Sequence, residues 1–330
     1  MTNRRLLTGL AILAMAVEAR AAGATIPKEK QIAAQRVGAL ESPEDDAMHM
    51  PTDVAIDSRG NVFIADGAND RIVTFTDKGD WKGTLPWTGS DVALKSPVGL
   101  GIDANDRLWV ADTGNRRILI CSSNGGTVEA ITLPGAQADP APEPTDVAVT
   151  SDGNRAYVID NNRHRILICD NATGEWQSMG RFGEAVGQFR WPFMVCVGGD
   201  DYAAVTEAIG ARVQRVSPKD KWAGSIGRWG IELGQLYRPK GIAIDRDGHL
   251  YVSDSTTQVV QVFNDRGVIL GVLTESDGTP LRFAHPMGLA FDAQQRLHVV
   301  ELRANRIAIV VIESLQRTRN NDAPAKEEGK

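Results

Sequence analysis

Cysteine is scarce: Cys121, Cys169 and Cys196 are the only three in 330 residues. They form no Cys-x-x-Cys pair, and an odd number cannot all be bridged within one chain, so neither a disulfide scaffold nor a thiolate zinc site is indicated. The five histidines are scattered, without a His-Glu-x-x-His pair. No phosphate loop, dinucleotide fingerprint or Ser-His-Asp order is present either, so the commonest enzyme signatures are missing. Positive charge is also short. Lys and Arg number 36 against 42 Asp and Glu, a net charge of −6 that gives no drive toward a phosphate backbone, so no nucleic-acid partner is expected. No apolar run reaches the roughly 20 residues needed to span a bilayer. Glycine, by contrast, is abundant, with 33 residues against an average share of about 7%. That excess points to many tight turns and argues against an all-helical fold, while 42% hydrophobic residues suffice for a full core.

The first 24 residues have the organisation of a secretory signal. Arg4 and Arg5 form a positive start, Leu6 to Val17 an apolar stretch of twelve, and Ala19-Arg20-Ala21 or Ala22-Gly23-Ala24 a small-x-small cleavage site. No lipid-attachment cysteine follows. A general export signal fits better than a twin-arginine one, because Thr8 interrupts the apolar run. The expectation is a soluble periplasmic or secreted protein, away from cellular RNA and ATP.

Self-comparison reveals one repeated unit. Pro51-Thr-Asp-Val-Ala-Ile-Asp57 is followed by Gly60-Asn-Val-Phe-Ile-Ala-Asp66 and then by Asn69-Asp-Arg-Ile-Val-Thr-Phe75. Further copies begin at Pro97, Pro144, Pro192, Pro239 and Pro286, spaced 46, 47, 48, 47 and 47 residues apart. Within each, short alternating runs rich in Val, Ile and aromatics end in Asp, Gly or Asn, the pattern of successive strands joined by hairpins. Asp57-Ser-Arg-Gly60 and Asp245-Arg-Asp-Gly248 read as turns whose carboxylates bond nearby amides. About 47 residues hold four short strands. Four strands cannot cover both faces of their own sheet, so neighbours must stack, and a closed ring of six removes the uncovered ends.

The expected fold is therefore all-β, a six-bladed β-propeller over residues 25–314. Arg36-Val-Gly38 resembles Arg181-Phe-Gly183 and Arg228-Trp-Gly230, which are taken as outer strands ahead of Pro192 and Pro239. On that reasoning residues of roughly 31 to 40 supply the fourth strand of the last blade, tying the N-terminus to the C-terminus. Residues 315–330 are polar and patternless, as expected of a disordered tail.

The order Pro-x-Gly/Asp-apolar-Ala-apolar-Asp, Gly-x-apolar-Tyr/Trp-Val-Ala-Asp and Asn-x-Arg-Ile resembles the NHL repeat and covers about Lys30 to Ser314. Within that family, Pro51–Asp57 and Ala65-Asp-Gly67 with Arg71-Ile72 are similar to a blade of the peptidyl-α-hydroxyglycine amidating lyases, which are zinc enzymes. The resemblance implies a zinc histidine directly after the strand-opening proline in three blades. Here those positions hold Thr52, Val98, Thr145, Phe193, Lys240 and Met287, and Ala68 stands where the lyase has tyrosine. A fold of this kind hosts many functions, so the residues must decide.

Asp66, Asp112, Asp160, Glu207, Asp254 and Glu301 recur at one position, each with Arg five residues on, except that Val259 follows Asp254. Five carboxylate–arginine pairs are expected to pin the loops, leaving Asp254 to face water or a ligand. The family analogy puts the starts of the innermost strands around one channel mouth. Asp53 and Asp146 lie there, and two like charges near one axis call for a cation, or for Lys240 and Arg238, between them. Local amide capping is the plainer reading of both. His49 and His285, with Asp53, form a candidate metal set, and calcium or zinc is the cation such a channel would hold. Trp191, Phe193, Arg190, Tyr237 and Arg238 cluster beside the strand starts of the fourth and fifth repeats, the fourth being the divergent copy, and suit a peptide, sugar or protein, with core packing the plainer reading of Trp191 and Phe193. His164 reads as structural; His249 and His298 show no evident partner. Two functions follow: a binding or scaffolding module for a protein, peptide or small ligand at the channel mouth, or a metal-assisted lyase or hydrolase resembling the amidating lyase.

Overall fold

The computed structural model describes residues 26–87, 92–126 and 128–313; the expected leader and tail lie outside these described residues. Every strand in it comes from the repeats or from the segment just before them. β1 (Gln31–Leu40) precedes a first sheet of β2 (Pro51–Ile56), β3 (Val62–Asp66), β4 (Arg71–Phe75) and β5 (Trp81–Thr84). The second sheet holds β6 (Leu100–Ile102), β7 (Arg107–Asp112), β8 (Arg117–Ser122) and β9 (Val128–Thr132). The third holds β10 (Pro144–Val149), β11 (Arg155–Asp160), β12 (Arg165–Asp170) and β13 (Trp176–Met179). The fourth holds β14 (Pro192–Val197), β15 (Ala203–Glu207), β16 (Arg212–Val216) and β17 (Trp222–Ile226). β18 (Pro239–Ile244), β19 (Leu250–Asp254), β20 (Val259–Phe263) and β21 (Ile269–Thr274) then share one eight-stranded sheet with β1, β22 (Pro286–Phe291), β23 (Leu297–Glu301) and β24 (Arg306–Ile312). The architecture is thus an all-β propeller of four four-stranded sheets and one of eight strands.

β1 makes that large sheet. Its Ala34–Leu40 stretch runs antiparallel to β24, and its first three residues pair in parallel with Val272, Leu273 and Thr274 of β21. The N-terminal segment therefore supplies the strand beside β24, as the sequence predicts. The supporting analogy is corrected: Arg181-Phe-Gly183 and Arg228-Trp-Gly230 lie beyond the ends of β13 and β17, in loops closed by Phe182–Phe189 and Trp229–Leu236 bridges. A further correction concerns Pro97, where the ladder starts only at Leu100.

Burial follows position within a sheet. The second strands β3, β15, β19 and β23 are buried at every residue, whereas the outer β5 is half-exposed. The core is accordingly a series of layers between sheets: Ala55, Phe63 and Ala65 of the first sheet pack with Leu108, Val110 and Leu119 of the second. The first strands of successive sheets touch in a closed series, β2 to β6, β10, β14, β18, β22 and back to β2. Hydroxyls stitch most of these junctions. Thr52 donates to the Val98 carbonyl, Thr113 to that of Pro144, Thr145 to that of Phe193, Thr206 to that of Lys240 and Ser253 to that of Met287, all at 2.6–2.8 Å.

The repeated carboxylate–arginine pairs form as expected. Asp66–Arg71, Asp112–Arg117, Asp160–Arg165, Glu207–Arg212 and Glu301–Arg306 close at 2.5–2.7 Å, with each carboxylate fully or almost fully buried. The turn they hold, like its counterpart after Asp254, ends in a left-handed residue: Asp70, Arg116, His164, Ala211, Gln258 and Asn305 all have φ between 51° and 62°. Non-glycine residues adopt that conformation rarely, so its recurrence at one position shows how closely the repeats share a backbone. The Asp57 and Asp245 turns also form, each carboxylate accepting two amides of its own turn.

Candidate ligand-binding site

First strands other than β6 pair their starts with the end of the second strand, for example Pro51 with Asp66 and Pro239 with Asp254. The loops leading into the first strands and the turns after the second strands therefore share one face, the strand-start face. Inside the ring runs a cavity of about 300 Å³, lined by Asp53, Asp146, Leu100, Val195, Ile242 and Leu289 among others.

Asp53 and Asp146 are buried at the strand-start end of this cavity, 5% and 3% exposed. Asp53 accepts the Leu100 amide at 2.8 Å, and Asp146 accepts those of Val195 at 2.7 Å and Val147 at 2.8 Å. Each carboxylate thus ties its own first strand to the next one. Glycine makes room for them. A Cβ on Gly288 would lie 1.9 Å from an Asp53 carboxylate oxygen, and one on Gly99 would lie 2.2 Å from that of Asp146, so each aspartate fills space that a neighbouring glycine leaves. Burial pushes the Asp53 carboxyl up to about 7 against the lowering effect of its amide bonds. Asp146 is raised well above the usual range, first by burial and then by the charge of Asp53.

The pair therefore caps amides and is not neutralised by a basic partner. Lys240 instead lies against Phe193, its ammonium 3.7 Å from the ring centroid. The metal set is not assembled either: His49 is exposed, His285 is surrounded by cations, and among the described residues no three His, Cys, Asp or Glu side chains converge as ligands. Two buried carboxylates already bonded to amides do not fit a zinc or calcium ion, which needs more oxygen or nitrogen donors aimed at one point.

Asp254 is a correction. It is fully buried and does not face water, and its carboxylate accepts four amides: those of Tyr237, Arg238, Thr256 and Thr257 at 2.6–3.0 Å. Backbone donors replace the arginine that Val259 displaces. His249 and His298 do have partners, bonding Asp245 at 2.9 Å and Asp292 at 3.2 Å across their hairpins. Asp four or six residues before a strand histidine was the available signal. Cys121 and Cys169 are buried free thiols, and burial pushes Cys121 up to about 12. Cys196, also free, lines the cavity.

Trp191 is not core. It is 42% exposed, left-handed, and stacks edge-on against the His164 ring at 4.7 Å, while Phe182 lies 5.0 Å from the same ring. The Trp191 amide donates to His164 Nδ1, which explains that histidine as a structural support. The next loop places Trp229, 68% exposed, against Tyr237 at 5.7 Å. Sequence reasoning missed Phe182 and Trp229, although the paired Gly-Arg-aromatic-Gly segments marked the place. Exposed Arg181, Arg228 and Arg238 accompany them. The strand-start face thus carries two aromatic clusters among arginines over its fourth and fifth repeats.

Comparison with known proteins agrees with this architecture. The NHL repeat model matches residues 142–169 and 236–263. The Drosophila melanogaster protein brain tumor is 29% identical over 132 residues, covering 39% of this chain and 12% of that protein, so the chain spans only a small part of that relative. Among solved structures, virginiamycin B lyase from Staphylococcus aureus is similar with 14% identity, 84% and 98% of the two chains covered and a TM-score of 0.59. A gluconolactonase from Xanthomonas campestris gives 17% identity, 88% and 98% coverage and a TM-score of 0.60. An auxiliary nutrient binding protein from Bacteroides thetaiotaomicron gives 13%, 82% and 72%, and 0.62. At such identities the likeness is one of fold. Two segments of the chain thus match the NHL repeat, and the fold around them is that of a β-propeller.

Proposed function

We propose that this chain is an exported six-bladed propeller, spanning about residues 25–314, that acts as a binding or scaffolding module for a protein or peptide partner on its strand-start face. The sixfold count reads the eight-stranded sheet as two blades welded by β1, in keeping with six left-handed turns and six first strands in closed contact. Export rests on Arg4, Arg5 and the apolar stretch from Leu6 to Val17. Likeness to the amidating lyases is read as shared ancestry of the repeat, because the residues after the six prolines carry no imidazole and no ligand set gathers among the described residues.

The observation that carries the reading is the exposure of Phe182, Trp191 and Trp229 on one face with arginines beside them. Large exposed aromatics have little to gain in a monomer, whereas aromatic and arginine side chains supply most of the anchoring energy at protein interfaces. Immobilised mature protein should retain a partner from an extract of the producing cell, and Phe182→Ser with Trp229→Ser should cut its recovery by about tenfold or more, since each anchor contributes over about 1 kcal/mol. Equal recovery of the same proteins by both forms would overturn the reading.

A further inference from the structure

Six residues directly follow the strand-opening prolines, and one of them is charged. Val98 and Met287 are apolar, and the Thr52 and Thr145 hydroxyls are committed to carbonyls of the next strand. Phe193 packs against Met194 and its neighbours and also against the cluster that contains Met287, so its ring reaches over the mouth. Lys240 lies on that ring, 3.7 Å from its centroid, half-buried and without a hydrogen bond or ion pair to any described residue. Burial, with Arg238 beside it, lowers the ammonium to about 8.

The surroundings add positive charge. Arg238 and Arg303 are exposed and make no ion pair with a described residue. His285 is held below its ordinary value by burial, then by Arg303, Lys240 and Arg238, with the charge of Asp254 opposing. That carboxylate is already committed to four amides. Asp53 and Asp146 lie one residue further in and are likewise bonded to amides. A half-buried ammonium without a counter-charge is costly, and folds keep such groups where a ligand supplies the missing charge.

Resting on the strand-start face as the binding face, we propose that Lys240, flanked by Arg238, Arg303 and His285, binds an oxyanion of the ligand, a carboxylate or a phosphate, while Phe193 packs against the adjoining carbon atoms. An ammonium and two guanidinium forks offer donors only, which matches an oxyanion and no cationic or purely apolar ligand.

The test uses purified mature protein at constant ionic strength, titrated with citrate, with inorganic phosphate and with chloride as control. Two quantities are read: the unfolding temperature, and the rate at which Lys240 is acetylated at pH 8, followed by peptide mass spectrometry. Citrate or phosphate should raise the unfolding temperature and slow acetylation of Lys240 by about fivefold or more at saturation, and chloride should do neither. The anion that acts separates a carboxylate source from a phosphate one. Lys240→Met, which keeps the stem over Phe193, should unfold cooperatively and lose the anion effect. Absence of protection by either anion, or a full anion effect in Lys240→Met, would overturn the proposal. If these fail while partner capture still depends on Phe182 and Trp229, the oxyanion site alone falls; if capture fails while Lys240 is protected, the partner-binding reading alone falls.

Discussion

Replacing Asp53 by Asn is expected to flatten the dependence of stability on pH and to make the protein more stable than the native form at pH 8. Between about pH 4 and 7 the folded Asp53 carboxyl keeps a proton that the unfolded chain releases, because burial raises it to about 7 while the unfolded value stays near 3.9. The folded state binds more protons, so stability contributed by this group is complete below about pH 4 and is lost as pH rises through about 7. Asp146, raised by burial and by the charge of Asp53, moves in the same direction. For the pair the loss should be on the order of 2–4 kcal/mol between pH 5 and 8. Asparagine keeps an oxygen for the Leu100 amide but brings an NH2 that must find an acceptor, costing about 1–3 kcal/mol if it finds none. Calorimetry from pH 5 to 9 should show the two forms crossing, the native above at low pH and the variant above at high pH. Parallel curves would mean that Asp53 is ionised in the fold throughout.

Deleting residues 26–40 is expected to abolish cooperative unfolding altogether. The deletion removes the strand between β24 and β21 and bares the edge of β24, a segment of six apolar residues after Arg306 with a row of unpaired backbone groups. It also removes Arg36, which bonds both oxygens of the buried Glu301 at 2.8 and 3.3 Å and the carbonyl of Arg282. Arg36→Met isolates that last contribution. Arg306 still holds Glu301 at 2.6 Å, and Arg36 is itself partly exposed, so the single change should cost about 2 kcal/mol, below the range for a buried charge left unpaired. Aggregation of the truncated chain with folding of Arg36→Met would locate the closure in β1 itself. A truncated chain that unfolds cooperatively near the native temperature would contradict it.

The frame of this protein was legible because it is periodic. Proline spacing marked the first strands apart from the one after Pro97, and the recurring Asp or Glu with Arg five residues on predicted five ion pairs that form. Recognition of β1 from Arg36-Val-Gly38 reached the right strand through an analogy the structure does not support, since the matching segments are loops. Contacts between neighbouring repeats were less legible. That Asp53 fills the space Gly288 leaves, and Asp146 the space beside Gly99, depends on which strands are adjacent at equal height, which one repeat cannot reveal. Asp254 was misread for a related reason: its four partners are backbone amides, which have no sequence identity. Trp191 and Trp229 look like core residues by composition, and only the loop geometry turns them outward.

A photo-crosslinking amino acid placed at Trp229, and separately at Val268 on a turn of the opposite face, tests the account most directly in the producing cell. A specific adduct from position 229 and none from 268 is predicted. An adduct from 268 with none from 229 would contradict it.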